Sequence, residues 1–141
     1  MAQVFAGFIC GFVLALISTP VLAVWLVRSR ESSDFIARAL PKGTSPLIIS
    51  VPAANFAFFL WTALGIVLGM VLIAVDERTS QGGLGSENLL FTLIVLLFAV
   101  VIFLPPLVLL RRARRIVLLH AVCFVALFGW LTPYLAQLNS H

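Results

Sequence analysis

Four long apolar runs, broken by three short polar stretches, account for nearly the whole chain. Residues 4–27, 52–75, 88–110 and 116–138 contain no Asp, Glu, Lys or Arg. Each run is 23 or 24 residues long, enough for an α-helix to cross a hydrocarbon core about 30 Å thick. The pattern predicts an all-α polytopic membrane protein: a single domain built as an antiparallel bundle of four transmembrane helices joined by short loops.

Proline and glycine mark where these helices bend, begin and touch. Pro20 falls about two turns before the end of the first run, where Ser18 or Thr19 is expected to re-satisfy the freed carbonyl. A span opening at Pro46 and ending at Val75 exceeds the usual crossing length. Pro52 is therefore expected to be the true start of the second helix or a sharp elbow, with residues 47–51 along the membrane boundary. Pro105-Pro106 either kinks the third helix or ends it at Leu104, with Pro106 opening a new turn. Pro133 loosens the last turns of the fourth, near the interfacial aromatics Trp130 and Tyr134.

Gly7 and Gly11 form one GxxxG pair, and Gly65 and Gly69 form another. In antiparallel helices the numbers of facing residues have a constant sum, and 7 with 69 and 11 with 65 satisfy one such sum. Spans one and two are expected to pack backbone to backbone at these four glycines. Asn55, Phe58, Thr62, Gly65 and Gly69 recur at helical steps and share a stripe on the second span.

The polar stretches carry the charge. The segment after the first run holds Arg28, Arg30, Arg38 and Lys42, and that after the third holds Arg111, Arg112, Arg114 and Arg115. Eight of nine cations thus lie in two loops, and the loop after the second run keeps only Arg78. By the positive-inside rule residues 28–45 and 111–115 are cytoplasmic, and both termini and residues 76–87 face outward across the cell membrane. The net charge of +4 is accordingly a topology signal, and no nucleic-acid partner is expected. Ser33 can cap a short helix in which Phe35, Ile36, Ala39 and Leu40 share a side, which suits an interfacial helix; a solvated loop fits equally. Gly82-Gly83-Leu84-Gly85 lacks the lysine and preceding strand of a phosphate cradle and is expected to be a linker, with Ser86 capping the third span. Val21-Leu22-Ala23 could imitate a signal-peptide cleavage site, but no cationic segment precedes it and the apolar run continues, so a retained span is expected.

Composition agrees: 62% of residues are hydrophobic, 10% are charged and the mean hydropathy is +1.19. Soluble domains are usually about 45–50% apolar. An ionisable residue inside a span would mark an ion or proton path. The spans offer only His120 and two thiols, Cys10 and Cys123. The thiols are expected in opposite leaflets and therefore unpaired. His120 and Cys123 share a helix face at i, i+3, but two ligands do not make a zinc site, and His120 has no second histidine nearby for haem. His120 is expected as a buried polar residue bonded to a neighbouring helix, with Asn55 as partner, and Thr62 as a third buried polar position. No cofactor, metal or catalytic constellation is expected.

These features point to a small accessory or structural subunit that packs within a larger membrane complex or against copies of itself. The alternative is a small oligomeric transporter or channel built around Asn55, Thr62 and His120. Arg111, Arg112, Arg114 and Arg115 beside the bilayer can orient the spans or hold anionic lipid or an acidic partner surface.

Overall fold

The computed structural model describes residues 1–30, 45–78, 89–109 and 113–138. All regular structure among these residues is helical. Helix α1 spans Ala2–Arg30, α2 spans Pro46–Arg78 and α3 spans Leu89–Leu109. The fourth apolar run forms α4 (Arg114–Ala126), one π-helical turn (Leu127–Leu131) and α5 (Thr132–Leu138). Four segments are long and apolar enough to cross a membrane: Ala2–Trp25, Ser50–Val75, Leu89–Val108 and Arg114–Leu138. The amphipathic segment 31–44 with Ser33, the glycine-rich residues 79–88 with Ser86, and Arg111 and Arg112 lie outside the described residues.

The prolines interrupt the helices less than expected. Helix α2 opens at Pro46, not Pro52, and runs on through Pro52 for 33 residues, about 50 Å. Proline at the first helical position lacks only an N–H that would have no partner there, and the Ile48 N–H bonds the Ser45 carbonyl at 3.1 Å. Helix α3 does not end at Leu104 but continues through Pro105 and Pro106 to Leu109. Helix α1 passes through Pro20, yet the Ser18 and Thr19 hydroxyls have no hydrogen-bond partner and do not repair the freed carbonyl.

Pro133 has a different consequence. In α-helical register its ring would crowd the Gly129 carbonyl, four residues back. The chain instead widens into the π turn, in which the Thr132 N–H reaches the Leu127 carbonyl. The Thr132 hydroxyl donates to the same oxygen at 3.0 Å.

Each helix buries a row of residues four apart, the ridge along which helices interlock: Ala6, Cys10 and Leu14 on α1, Leu68 and Leu72 on α2, Phe91, Val95, Ala99 and Phe103 on α3. Phe124, Phe128, Thr132 and Ala136 continue the pattern on the fourth run, across the π turn. Helix α1 packs most extensively against α2, and then against α5 and the π turn; it barely meets α4. Helix α3 packs against α4 and the π turn and only lightly against α2. The helices are thus closed together around Cys10 and Thr132 and part toward Ser18 and His120.

Candidate functional site

The tightest seam lies between α1 and α2. A Cβ on Gly65 would fall 2.9 Å from the Gly11 Cα and overlap the Gly7 carbonyl oxygen, while one on Gly7 would overlap the Gly65 carbonyl oxygen. A Cβ on Gly11 would meet the Trp61 carbonyl oxygen at 2.6 Å, and one on Gly69 the Gln3 carbonyl oxygen at 2.6 Å. As numbers rise along α1 they fall along α2, and all four glycines lie on the shared seam. At each, a Cα hydrogen points where a side chain would otherwise be, toward a carbonyl of the other helix, the geometry of weak Cα–H···O bonds.

The three polar positions singled out above do not converge. Asn55 is exposed, not buried. Beyond the glycines Phe12 and Phe58 meet edge to face at 5.5 Å, one turn before Asn55. Thr62 donates to the Phe58 carbonyl of its own helix at 2.9 Å. His120 bonds the Ile116 carbonyl through Nδ1 at 2.9 Å, so the contact it makes is within α4 and not with Asn55.

Both cysteines are free. Cys10 is fully buried, with the equally buried Thr132 beside its thiol. Thr132 lies nine residues beyond Cys123 on the fourth run, about 14 Å along a helix, so the thiols occupy different levels. Among the described residues no three His, Cys, Asp or Glu side chains come together as metal ligands.

Of the arginine cluster, Arg114 and Arg115 are described and both are exposed. The Arg114 Nε donates to the Leu107 carbonyl at 3.2 Å. That carbonyl is among the last four of α3, which have no partner within the helix and carry its negative end. Arg114 thus caps α3 besides contributing to the charge asymmetry.

Where the helices part lies a cleft of about 270 Å³, walled by Val21, Leu22 and Trp25 of α1, Leu60 and Trp61 of α2, Phe103 and Pro106 of α3, and Val117 and His120 of α4. Ser18 lines its inner part; it is only 5% exposed and its hydroxyl has no partner. Trp61 stacks on Phe103 at 5.9 Å, with planes 16° apart, and both rings meet the buried Phe124. Pro20, Pro52, Pro105 and Pro106 all lie toward this end of their helices. Proline removes a ladder bond and crowds the preceding turn, and the parting coincides with these positions. Neither the cleft nor its aromatic floor was evident from periodicity, because Ser18, Trp61, Phe103 and Phe124 sit on four different segments. The i, i+4 spacing of Phe124 and Phe128 was the one available signal.

Comparison with protein-family models, curated proteins and solved structures finds no match to this chain, so the reading of its function rests on the geometry above.

Proposed function

We propose that this chain is a multi-pass protein of the cell membrane, an antiparallel bundle of four transmembrane helices that serves as a small accessory or structural subunit in a larger complex or homo-oligomer. The observation that carries the reading is a ladder of phenylalanine rings outside the core. Phe5, Phe8, Phe12, Phe58 and Phe59 follow one another with centroids 5.5–6.5 Å apart. Phe5 and Phe59 are 57% and 70% exposed. Rings already held against one another lose little freedom when a further helix packs on them, and van der Waals packing is what joins helices in lipid. In the most apolar stretch of each span only 22–33% of the residues are buried within the chain, which leaves surface for lipid and partner alike.

The transporter alternative has weaker support. Thr62 and His120 close hydrogen bonds on their own helices, Asn55 lies apart from them, and the cleft that reaches His120 is walled almost wholly by apolar groups. Extraction in a mild detergent followed by native mass measurement tests the subunit reading: the expected species is an assembly larger than 15.4 kDa. A stable monomer with nothing attached overturns it.

In this reading the basic loops 28–45 and 111–115 are cytoplasmic, with anionic lipid beside their arginines, and both termini and residues 76–87 are outside. A membrane-impermeant thiol reagent applied to intact cells should label cysteine at Ser80→Cys but not at Ser32→Cys. Labelling of Ser32→Cys alone reverses the topology.

A further inference from the structure

We propose that the cleft seats one acyl chain of an anionic phospholipid, with the head group held by Arg114 and Arg115 at its mouth. It rests on the membrane-spanning reading above, whose lipid contact at the arginines it makes specific, and not on the subunit role. The walls select the occupant first. Leu22, Leu60, Phe103, Ile116 and Val117 present hydrocarbon to the cleft, and His120 spends its Nδ1 on its own helix. Water in a space of about 270 Å³ would want two to four polar partners for each molecule, which such walls do not supply. An apolar cavity of about 150 Å³ already holds a benzene ring. Left void, the walls would forfeit the dispersion contacts that packed atoms make.

Shape narrows the occupant to a chain. Trp25 and Ala113 stand at the arginine end of the cleft, with Ser18 and His120 seven residues further in, so it runs about 10 Å along the helices. Leu60 and Ile116 line it while 52% and 40% exposed, so it opens sideways to the surrounding hydrocarbon. A further helix is about 10–12 Å across with its side chains, and over that length it takes roughly three to four times the 270 Å³ of the cleft. Such a helix covers the opening without entering it. A single hydrocarbon chain, about 4–5 Å thick at carbon contact distances, takes roughly 120–200 Å³ over the same length and fits.

Charge fixes the head group. Ala113 lines the cleft and is followed by Arg114, and Pro106 lines it and is followed by Leu107. The Arg114 Nε donates to the Leu107 carbonyl at 3.2 Å, which fastens the guanidinium beside the mouth. That bond uses one guanidinium N–H and leaves the outer ones for phosphate oxygens, whose geometry their fork matches. Arg115, the next residue, is also exposed. A phospholipid keeps its phosphate at the polar border and its chains below, the same order as the cations and the apolar cleft.

The test uses the full chain carrying Trp25→Phe and Trp130→Phe, which leaves Trp61 of the cleft wall as the one tryptophan, in micelles of a neutral detergent. The probes are phosphatidylglycerol and phosphatidylcholine brominated along one acyl chain, since bromine quenches indole fluorescence on contact. Phosphatidylglycerol is expected to quench Trp61 saturably near one lipid per protein, and phosphatidylcholine to need at least about fivefold more. Arg114→Gln combined with Arg115→Gln should weaken phosphatidylglycerol about 5- to 25-fold, roughly fivefold for each arginine, and leave phosphatidylcholine unchanged. Ala57→Phe, whose ring fills the cleft from its α2 wall, should suppress quenching by both lipids while the unfolding midpoint without lipid does not fall. The arginine pair, on the surface, gives the answer if that variant does not fold. Quenching that rises in proportion to lipid and equally for both head groups overturns the proposal, and so does quenching by a folded Ala57→Phe protein equal to that of the parent. A co-purifying polypeptide that must be removed before the brominated chain reaches Trp61 also overturns it and assigns the cleft to a partner side chain. Release of the protein from membranes by alkaline carbonate instead refutes the membrane-spanning reading, independently of the lipid.

Discussion

Gly65→Leu is expected to drive α1 and α2 apart and to abolish the native packing of these two helices. Even Gly65→Ala should lower stability by about 1–3 kcal/mol, the usual range for overpacking. The clash is with backbone: a Cβ at residue 65 meets the Gly11 Cα at 2.9 Å and Gly11 N at 3.1 Å, atoms that cannot rotate aside as a side-chain end can. The effect is large for a second reason. In lipid or a micelle the separated helices are as well solvated as the packed ones, so close packing itself, with its Cα–H···O contacts, holds them together. Gly129→Ala provides the contrast. A Cβ there meets only the Val125, Val95 and Thr92 methyl groups at 3.8–3.9 Å, ordinary contact distance. Its stability should stay within about 0.5 kcal/mol of the parent, because the loss of glycine's freedom offsets any small adjustment. Unfolding in mixed micelles of rising SDS fraction, followed by tryptophan fluorescence, measures both. Equal effects at residues 65 and 129 would mean that the glycine seam is not what joins α1 to α2.

The contrast also shows what the chain reveals before it is folded. A four-residue spacing of glycines and one constant sum suffice to locate the α1–α2 seam, because a helix has a single period and an antiparallel pair a single register. Span limits are legible for the same reason: the charge-free run 88–110 stands beside α3 at Leu89–Leu109, and 116–138 beside a helical segment at Arg114–Leu138. Proline is where local reading falls short. Pro52, Pro105 and Pro106 each forbid one backbone bond, but whether a helix ends or continues depends on what surrounds the freed carbonyls, and that is tertiary information. Helix α2 and helix α3 continue. Asn55, exposed although its spacing predicts burial, shows the same dependence. Its place on the helical wheel matches the glycine stripe, but burial also depends on what stands opposite at that height, which is tertiary information.

Asymmetry along the packed helices follows from these placements. Glycines and the Cys10–Thr132 contact draw the helices together at one end, and prolines accompany their parting at the other. The aromatic group of Trp61, Phe103, Phe124 and Phe128 stands between the two regimes. Two of its rings, Trp61 and Phe103, also line the cleft. Its residues come from α2, α3, α4 and the π turn, so this one cluster ties together helices that otherwise touch lightly.

Phe124→Ala should therefore cost more than any other large-to-small substitution in the chain. Phe124 is fully buried, with ring centroids 6.0 Å from Trp61, 5.7 Å from Phe103 and 4.8 Å from Phe128. In a soluble protein Phe→Ala costs about 3–5 kcal/mol, part of it the transfer of the ring from water. That part is small here, because the ring leaves an apolar core for an apolar micelle. What remains is the void. Removing roughly 100 Å³ of ring at about 24 cal/mol per Å³ gives about 2 kcal/mol, if the site does not collapse. The helices around Phe124 have few other contacts with which to close the gap, so the full amount is expected. Phe124→Leu, closer in volume, should cost less than about 1.5 kcal/mol. Phe59→Ala, at a residue 70% exposed, should leave the isolated protein within about 0.5 kcal/mol of the parent. Unfolding midpoints of the three variants in mixed micelles give the order directly. If Phe124→Ala is no worse than Phe59→Ala, the aromatic cluster does not join the helices.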